Sequence, residues 1–386
     1  MVRNAARGPT PARWCVVAGA IANKAQNGGE SWVRLSWVLG LQRMGFDVHF
    51  IEQGGVEGIA YLEEVAARFG LTERISVVTP DGAALHGLSE EGLTDLADRA
   101  EFLVNISGNL SAPGLLSRFR RRAYIDIDPG YTQFWHVHGQ LRNTLRQHDA
   151  WFTVGGNIGS PACPIPTDGI LWQSVRPPVV LEKWPVRAAE HRDLLTTVAG
   201  WRGAFGSVEA DGHRYGVKAH QWRAFLELPS LISQRLEVAL AIDPADESDR
   251  RSLLDHGWHL VDPMKVAGHP DLFRGYIQRS GGEFSVAQGI YVETNSGWFS
   301  DRTTRYLASG KPVLVQDTGF SRTLPTGEGL VTFNNLSEAV DGANRIAASY
   351  DSHARSARQL AEEYFDSDRV LGTFLDDLGV ARPTAS

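Results

Sequence analysis

Cysteine is scarce. Two occur in 386 residues, Cys15 and Cys163, too few for a disulfide framework or a zinc site, which points to a reducing, cytoplasmic setting. Long apolar runs are missing as well. Nothing approaches the roughly 18 residues that a membrane span needs, and the basic stretch Met1–Arg13 is followed by no apolar signal core. Positive charge is not in excess. With 38 Lys and Arg against 45 Asp and Glu, the net charge is −7, which argues against a nucleic-acid partner while leaving room for a local phosphate pocket. Neither a Gly-Lys-Ser/Thr phosphate loop nor a Gly-x-Gly-x-x-Gly turn is present, so a nicotinamide oxidoreductase is disfavoured. No short-period repeat occurs.

What is present is α/β rhythm. Trp14–Ala20 reads as a strand, Glu30–Met44 as a helix ended by Gly45, and Phe46–Ile51 as the next strand, the opening of a parallel sheet. Strands are expected at Ile75–Val78, Phe102–Ile106, Arg122–Ile127 and Trp151–Val154, and a helical stretch at Trp135–Gln147. Pro161, Pro164, Pro166, Pro177, Pro178 and Pro185 exclude regular helix from one region, and a linker is placed at 180–190. The pattern then restarts: strands at Leu194–Ala199, Leu236–Ile242, Trp258–Val261, Gly289–Glu293 and Pro312–Asp317, with two long helical patterns at the end. At this length two domains are the default.

Most of the chemistry lies in Glu293–Phe320. A polar loop containing Ser296 and Gly297 leads to a helix at Arg302–Ser309. Ser300 and Asp301 are good N-cap types. Free N–H groups and the helix dipole favour an anion at that end, and Arg302 adds a charge. These are the parts of a diphosphate seat; they are also the parts of an ordinary capped helix. Asp317, Thr318 and Gly319 follow the next strand, at the end where open parallel sheets bind ligands.

Ser300-Asp301-Arg302-Thr303 and Leu307-Ala308-Ser309-Gly310-Lys311-Pro312-Val313 resemble the donor-site motif of GT-B glycosyltransferases, in particular the bacterial type with a Ser-Asp-Arg-Thr turn. The resemblance implies an α/β, GT-B-like architecture of two Rossmann-like domains facing across a cleft. Residues 1–185 would form the acceptor domain and 186–386 the nucleotide-sugar domain, with a last helix near 365–378 crossing back. It places donor phosphates at Ser300–Thr303 and sugar hydroxyls near Asp317–Gly319. Where many retaining members carry a ribose-binding glutamate this chain has Arg305, which cannot accept a hydrogen bond. The first acidic position of the pattern falls at Gly297, and Glu293 lies nearby without an aligned role.

Two further stretches fit the resemblance. Thr197-Val-Ala-Gly-Trp-Arg202 and then Lys218 look like the opening of a GT-B C-terminal domain, in which Arg202 and Lys218 would clamp the diphosphate beside Trp201; both also read as surface charges. Gly28, Gly29 and Glu30 look like the glycine-rich loop facing the cleft, or a tight turn with a capping acid. Asp126 and Asp128 share one face of a strand end, before Trp135 and His136. An inverting transferase needs a base for the acceptor hydroxyl, and Asp128, His136 and Glu30 are the candidates, with Asp126 and Trp135 facing the acceptor.

The expectation is a metal-independent glycosyltransferase without a cofactor. Its partners are a nucleotide-sugar donor and a small-molecule or saccharide acceptor, a natural-product scaffold among them; the protein is a monomer or homodimer. An epimerase or hydrolase of nucleotide-sugars would turn over donor with no acceptor. A two-lobed binding protein would bind without turnover.

Overall fold

The computed structural model describes residues 13–141, 144–210 and 212–382; the basic end at 1–12 and residues 142–143 of the expected helical stretch 135–147 lie outside that range. Apolar runs give β1 (Trp14–Ala18), β2 (Asp47–Gln53), β3 (Ile75–Val78), β4 (Ala84–His86), β5 (Leu103–Ile106), β6 (Arg122–Asp126), β7 (Ala150–Thr153) and β8 (Trp172–Ser174). They form one sheet of order β4-β3-β2-β1-β5-β6-β7-β8, parallel except for β4, which runs antiparallel to β3. Strands such as β3 and β5 are buried on both faces, which is why they read as continuous apolar runs and not as alternation. Helix α1 (Gly28–Arg43) follows β1, and α2 (Tyr131–Val137) follows β6.

The second sheet contains β9 (Leu194–Gly200), β12 (Arg235–Ala241), β13 (His259–Val261), β14 (Gly282–Ser285), β15 (Val313–Gln316) and β16 (Leu330–Phe333), in the order β13-β12-β9-β14-β15-β16. A separate hairpin, β10 (Val208–Ala210) with β11 (His213–Tyr215), is inserted after β9. The relevant helices are α3 (Lys218–Trp222), α4 (Pro270–Arg279), α5 (Gly289–Glu293), α6 (Asp301–Ala308), α7 (Tyr350–Leu360) and α8 (Ser367–Asp377). In both sheets the order reverses beside the first strand, between β1 and β5 and between β9 and β14. That is the crevice where doubly wound sheets bind ligands.

The helical stretch expected at 135–147 ends already at Val137, and one expected strand is of the other type. Gly289–Glu293 is helix, and the strand is Gly282–Ser285. A short apolar run does not distinguish the two by period. Tertiary packing decides: a Cβ on Gly289 would lie 2.6 Å from the Gly216 carbonyl oxygen, a contact made by a helix start. The true strand is masked by its Gly282 and by Glu283, which is buried and ion-paired.

The two units are joined in several places. Val179 N–H donates to Phe365 O at 2.8 Å and Ser367 N–H to Val179 O at 2.9 Å, so the linker and the returning chain run side by side. Helix α8 then packs on the first sheet, Phe374 meeting Trp37 and Phe152 at 5.1 and 4.8 Å between ring centres. A Cβ on Gly28 would come within 2.3 Å of His269 O, and Trp32 Nε1 donates to Pro270 O at 2.8 Å, seating α1 against α4. Among the described residues no helix is long and apolar enough to cross a membrane.

Candidate active site in the interdomain cleft

The carboxyl ends of the two sheets face each other across two adjoining cavities of about 230 and about 430 Å³. Glu30, Gly203, Asp301 and Arg302 line both. On the second-domain wall, Gly203 has φ +82° and lies so close to Gln288 that a Cβ would overlap its amide, a position that requires glycine. Gln288 Oε1 in turn accepts from Lys218 N–H at 2.6 Å and fixes the start of α3. The Lys218 side chain reaches the cavity and has no hydrogen-bond or ion-pair partner among the described residues. Burial, then the charge of Arg302, pull its pKa down to about 7.

Helix α6 opens onto the same cavity at Ser300 and Asp301, and Ser300 makes no side-chain cap bond. The two arginines beside it are already engaged. Arg302 donates from Nε to Glu283 Oε1 at 2.6 Å, from Nη1 to Val198 O at 2.7 Å and from Nη2 to Ser285 Oγ at 2.6 Å. Arg305, which stands where many retaining members carry a ribose-binding glutamate, pairs with Asp301 at 2.6 Å and reaches Ser36 of α1 at 3.2 Å. It joins the two domains.

The first-domain wall is mostly apolar: Val33 and Trp37 of α1, Ile125 and Ile127 around the end of β6, Val154 after β7, and the linker prolines Pro177 and Pro178. Asp128 stands among them. Its Oδ1 accepts from the Tyr291 hydroxyl of α5 at 3.1 Å, a contact between domains. Burial first, then the negative charges of Asp126 and Glu30, push the Asp128 carboxyl up to about 7. Asp126 itself is fully buried and accepts from Asp128 N–H, Thr132, Gln133 and Thr153 at 2.7 to 3.1 Å. It is satisfied, and holds the turn that presents Asp128. Glu30 is ion-paired with Arg34.

Solved structures share this fold. Anabaena HepE, in complex with UDP and glucose, is similar over 95% of this chain and 99% of its own, with a TM-score of 0.59 at 10% identity. The pneumococcal O-GlcNAc transferase GtfA, in complex with UDP and GlcNAc, is similar over 96% and 99%, with a TM-score of 0.58 at 8% identity. AviGT4, a glycosyltransferase of avilamycin A biosynthesis, is similar over 96% and 97%, with a TM-score of 0.53 at 14% identity. This chain has the GT-B fold. No protein-family profile matches the sequence, and no curated protein matches it either.

Within this GT-B frame, Gly29, Glu30, Asp128, Lys218, Ser300, Asp301 and Arg302 line the cleft. Others lie elsewhere. Arg202, expected to face phosphates, turns outward to Asp246 at 2.7 Å with its side chain 65% exposed. Trp201 is core, donating to Asp249 at 2.8 Å. His136 lies 3.2 Å from the Asp168 carboxylate, and Trp135 packs on Phe205 at 4.7 Å; both sit apart from the cavities. Glu293 meets His213 at 2.8 Å and accepts from Gly216 N–H at 3.1 Å, anchoring the inserted hairpin. Thr303 is buried behind the first turn of α6.

Ser296, Gly297 and Asp317–Gly319 belong to the joint between domains. Ser296 Oγ donates to Tyr291 O at 3.2 Å and Thr318 Oγ1 to Trp298 O at 2.6 Å. Gly297 and Gly319 carry positive φ and both abut Asn157, whose amide donates to Asn295 O and Gly319 O at 2.9 and 3.0 Å. Asp317 accepts from Gly319 N–H at 2.8 Å. The cleft residues that sequence reasoning missed include Gly203, Gln288, Tyr291, Arg176 and the apolar wall. Tyr291 was hidden inside the stretch read as a strand.

Proposed function

We propose that this chain is a glycosyltransferase that moves a sugar from a nucleoside diphosphate sugar to a hydroxyl acceptor. The observation that carries the reading is the opposition of Lys218 and the α6 start on one wall to Asp128 on the other. The ionised Asp128 carboxylate takes the acceptor hydroxyl proton. The acceptor oxygen forms the new bond to the anomeric carbon as the bond from that carbon to the diphosphate oxygen breaks, and the nucleoside diphosphate leaves with both electrons. Lys218 and the free N–H groups of α6 offset the charge that develops on it. HepE and GtfA were solved with UDP, so UDP-sugars are the first donors to test.

A thermal-shift panel of UDP, GDP, dTDP and ADP tests the donor site, because a ligand that binds only the folded state raises Tm by mass action. At least one should stabilise the protein, and Lys218→Ala should weaken that nucleotide about tenfold or more, the scale of a lost charge-assisted hydrogen bond. If no nucleotide raises Tm, the reading fails. Binding should also take up protons at pH 8, since an anion beside Lys218 restores its charged form. Donor consumed at an equal rate without any acceptor would indicate hydrolysis or epimerisation.

A further inference from the structure

The two walls of the smaller cavity differ in what they offer a ligand. The second-domain wall supplies Lys218, Gln288, Ser300 and the α6 start, beside the rings of Tyr291, Trp298 and Phe299. The first-domain wall supplies Val33, Trp37, Ile125, Ile127, Val154 and Pro178. Its polar groups are few, and apart from Asp128 they are engaged within the protein: Glu30 with Arg34, and Arg176 with Thr323 O at 3.2 Å, its guanidinium lying over the Tyr364 ring at 5.1 Å. A hexose placed against this wall would bury several hydroxyls with no partner, each costing about 1–3 kcal/mol. A ring with one hydroxyl, by contrast, matches both the apolar wall and the single carboxylate.

Resting on the transferase reading, we propose that the acceptor is a compact apolar molecule, an aromatic or alicyclic ring carrying the hydroxyl that receives the sugar, and not a saccharide. The ring lies between Ile127, Val154 and the linker prolines. Its hydroxyl points to Asp128, and the donor occupies the second-domain side. The walls thereby divide specificity: the second domain selects the anion and the first excludes polyols.

Ligand-observed saturation-transfer NMR on the whole protein with saturating UDP tests this. The probes are 4-nitrophenol and 4-methylumbelliferone against methyl β-glucoside and maltose. The phenols should show contacts and the saccharides none. Ile127→Asp, which places a charge on the apolar wall, should weaken phenol binding at least tenfold while the UDP thermal shift stays. Val154→Thr should weaken it in the same direction through a smaller change, should the first variant fold poorly. Saccharide contacts without phenol contacts overturn the proposal, as does phenol binding that neither variant alters. Phenols that fail while UDP still stabilises the protein sink this inference and leave the donor site standing. Phenols that bind the native protein but not the variants, where no nucleotide binds, sink the donor reading instead.

Discussion

The two walls of the cleft handle charge in opposite ways. On the second-domain wall the guanidinium groups of Arg302 and Arg305 are spent on Glu283, Val198 O, Ser285, Asp301 and Ser36. They hold the strand ends and α6 in place, and leave Lys218 and the helix start to face a ligand. On the first-domain wall one carboxyl is set among apolar side chains, and burial raises it toward neutrality. In the proposed reaction the dry wall would supply the base, and the braced cationic wall the seat for the leaving group. A residue's charge in the sequence therefore says little about its availability, which depends on what already satisfies it.

The strongest test of that contrast removes the base. Asp128→Asn keeps the shape and the Tyr291 contact but cannot take a proton. Transfer should fall about a hundredfold to ten-thousandfold, the usual contribution of a positioned base, with the nucleotide thermal shift unchanged. If more than a tenth of the rate survives in initial-velocity assays, Asp128 is not the base.

The next test separates a bracing cation from an exposed one. Arg302→Met leaves Glu283 buried without its partner, a change that costs about 3–5 kcal/mol, read from denaturant unfolding at pH 7. Arg202→Ala removes an ion pair whose arginine is 65% exposed, and its midpoint should stay near the native one. Equal midpoints for the two variants would erase the distinction between them.

Much of this was legible in the sequence, for physical reasons that differ by element. Strands such as β1, β5 and β15 show as apolar runs because both faces are covered. The Ser300–Ala308 unit was legible because capping, glycine and proline signals are local. Asp128 could be named because alternation at a strand end fixes the face. What stayed hidden is set by partners remote in sequence. Arg202 and Arg302 look alike until Asp246 and Glu283 are placed beside them. Tyr291 could not be read as a cleft residue while its segment passed for a strand. Gly297 and Gly319 are glycines because both carry positive φ and because Asn157, more than 130 residues away, approaches them, with Asn295 closer still to Gly319. His136 looked catalytic only by type.

The finest test concerns how the two walls meet. Tyr291 belongs to the second domain and donates to Asp128 of the first. That bond favours the ionised carboxylate and so lowers a pKa which burial, Asp126 and Glu30 have raised to about 7. The rate should climb as pH rises through that value, because only the ionised form accepts a proton. Lys218 loses charge near the same pH in the free protein, so kcat/KM should be bell-shaped, with macroscopic limbs close together. Tyr291→Phe removes a donor to a charged acceptor, about 1.5–3 kcal/mol, equivalent to an upward shift of roughly one to two pKa units. The acid limb should therefore move to higher pH while the rate at high pH, where Asp128 is ionised regardless, recovers toward the native value. A loss uniform across pH would mean that Tyr291 serves packing alone. An acid limb displaced as expected would show that the apolar wall's base is tuned from the opposite domain.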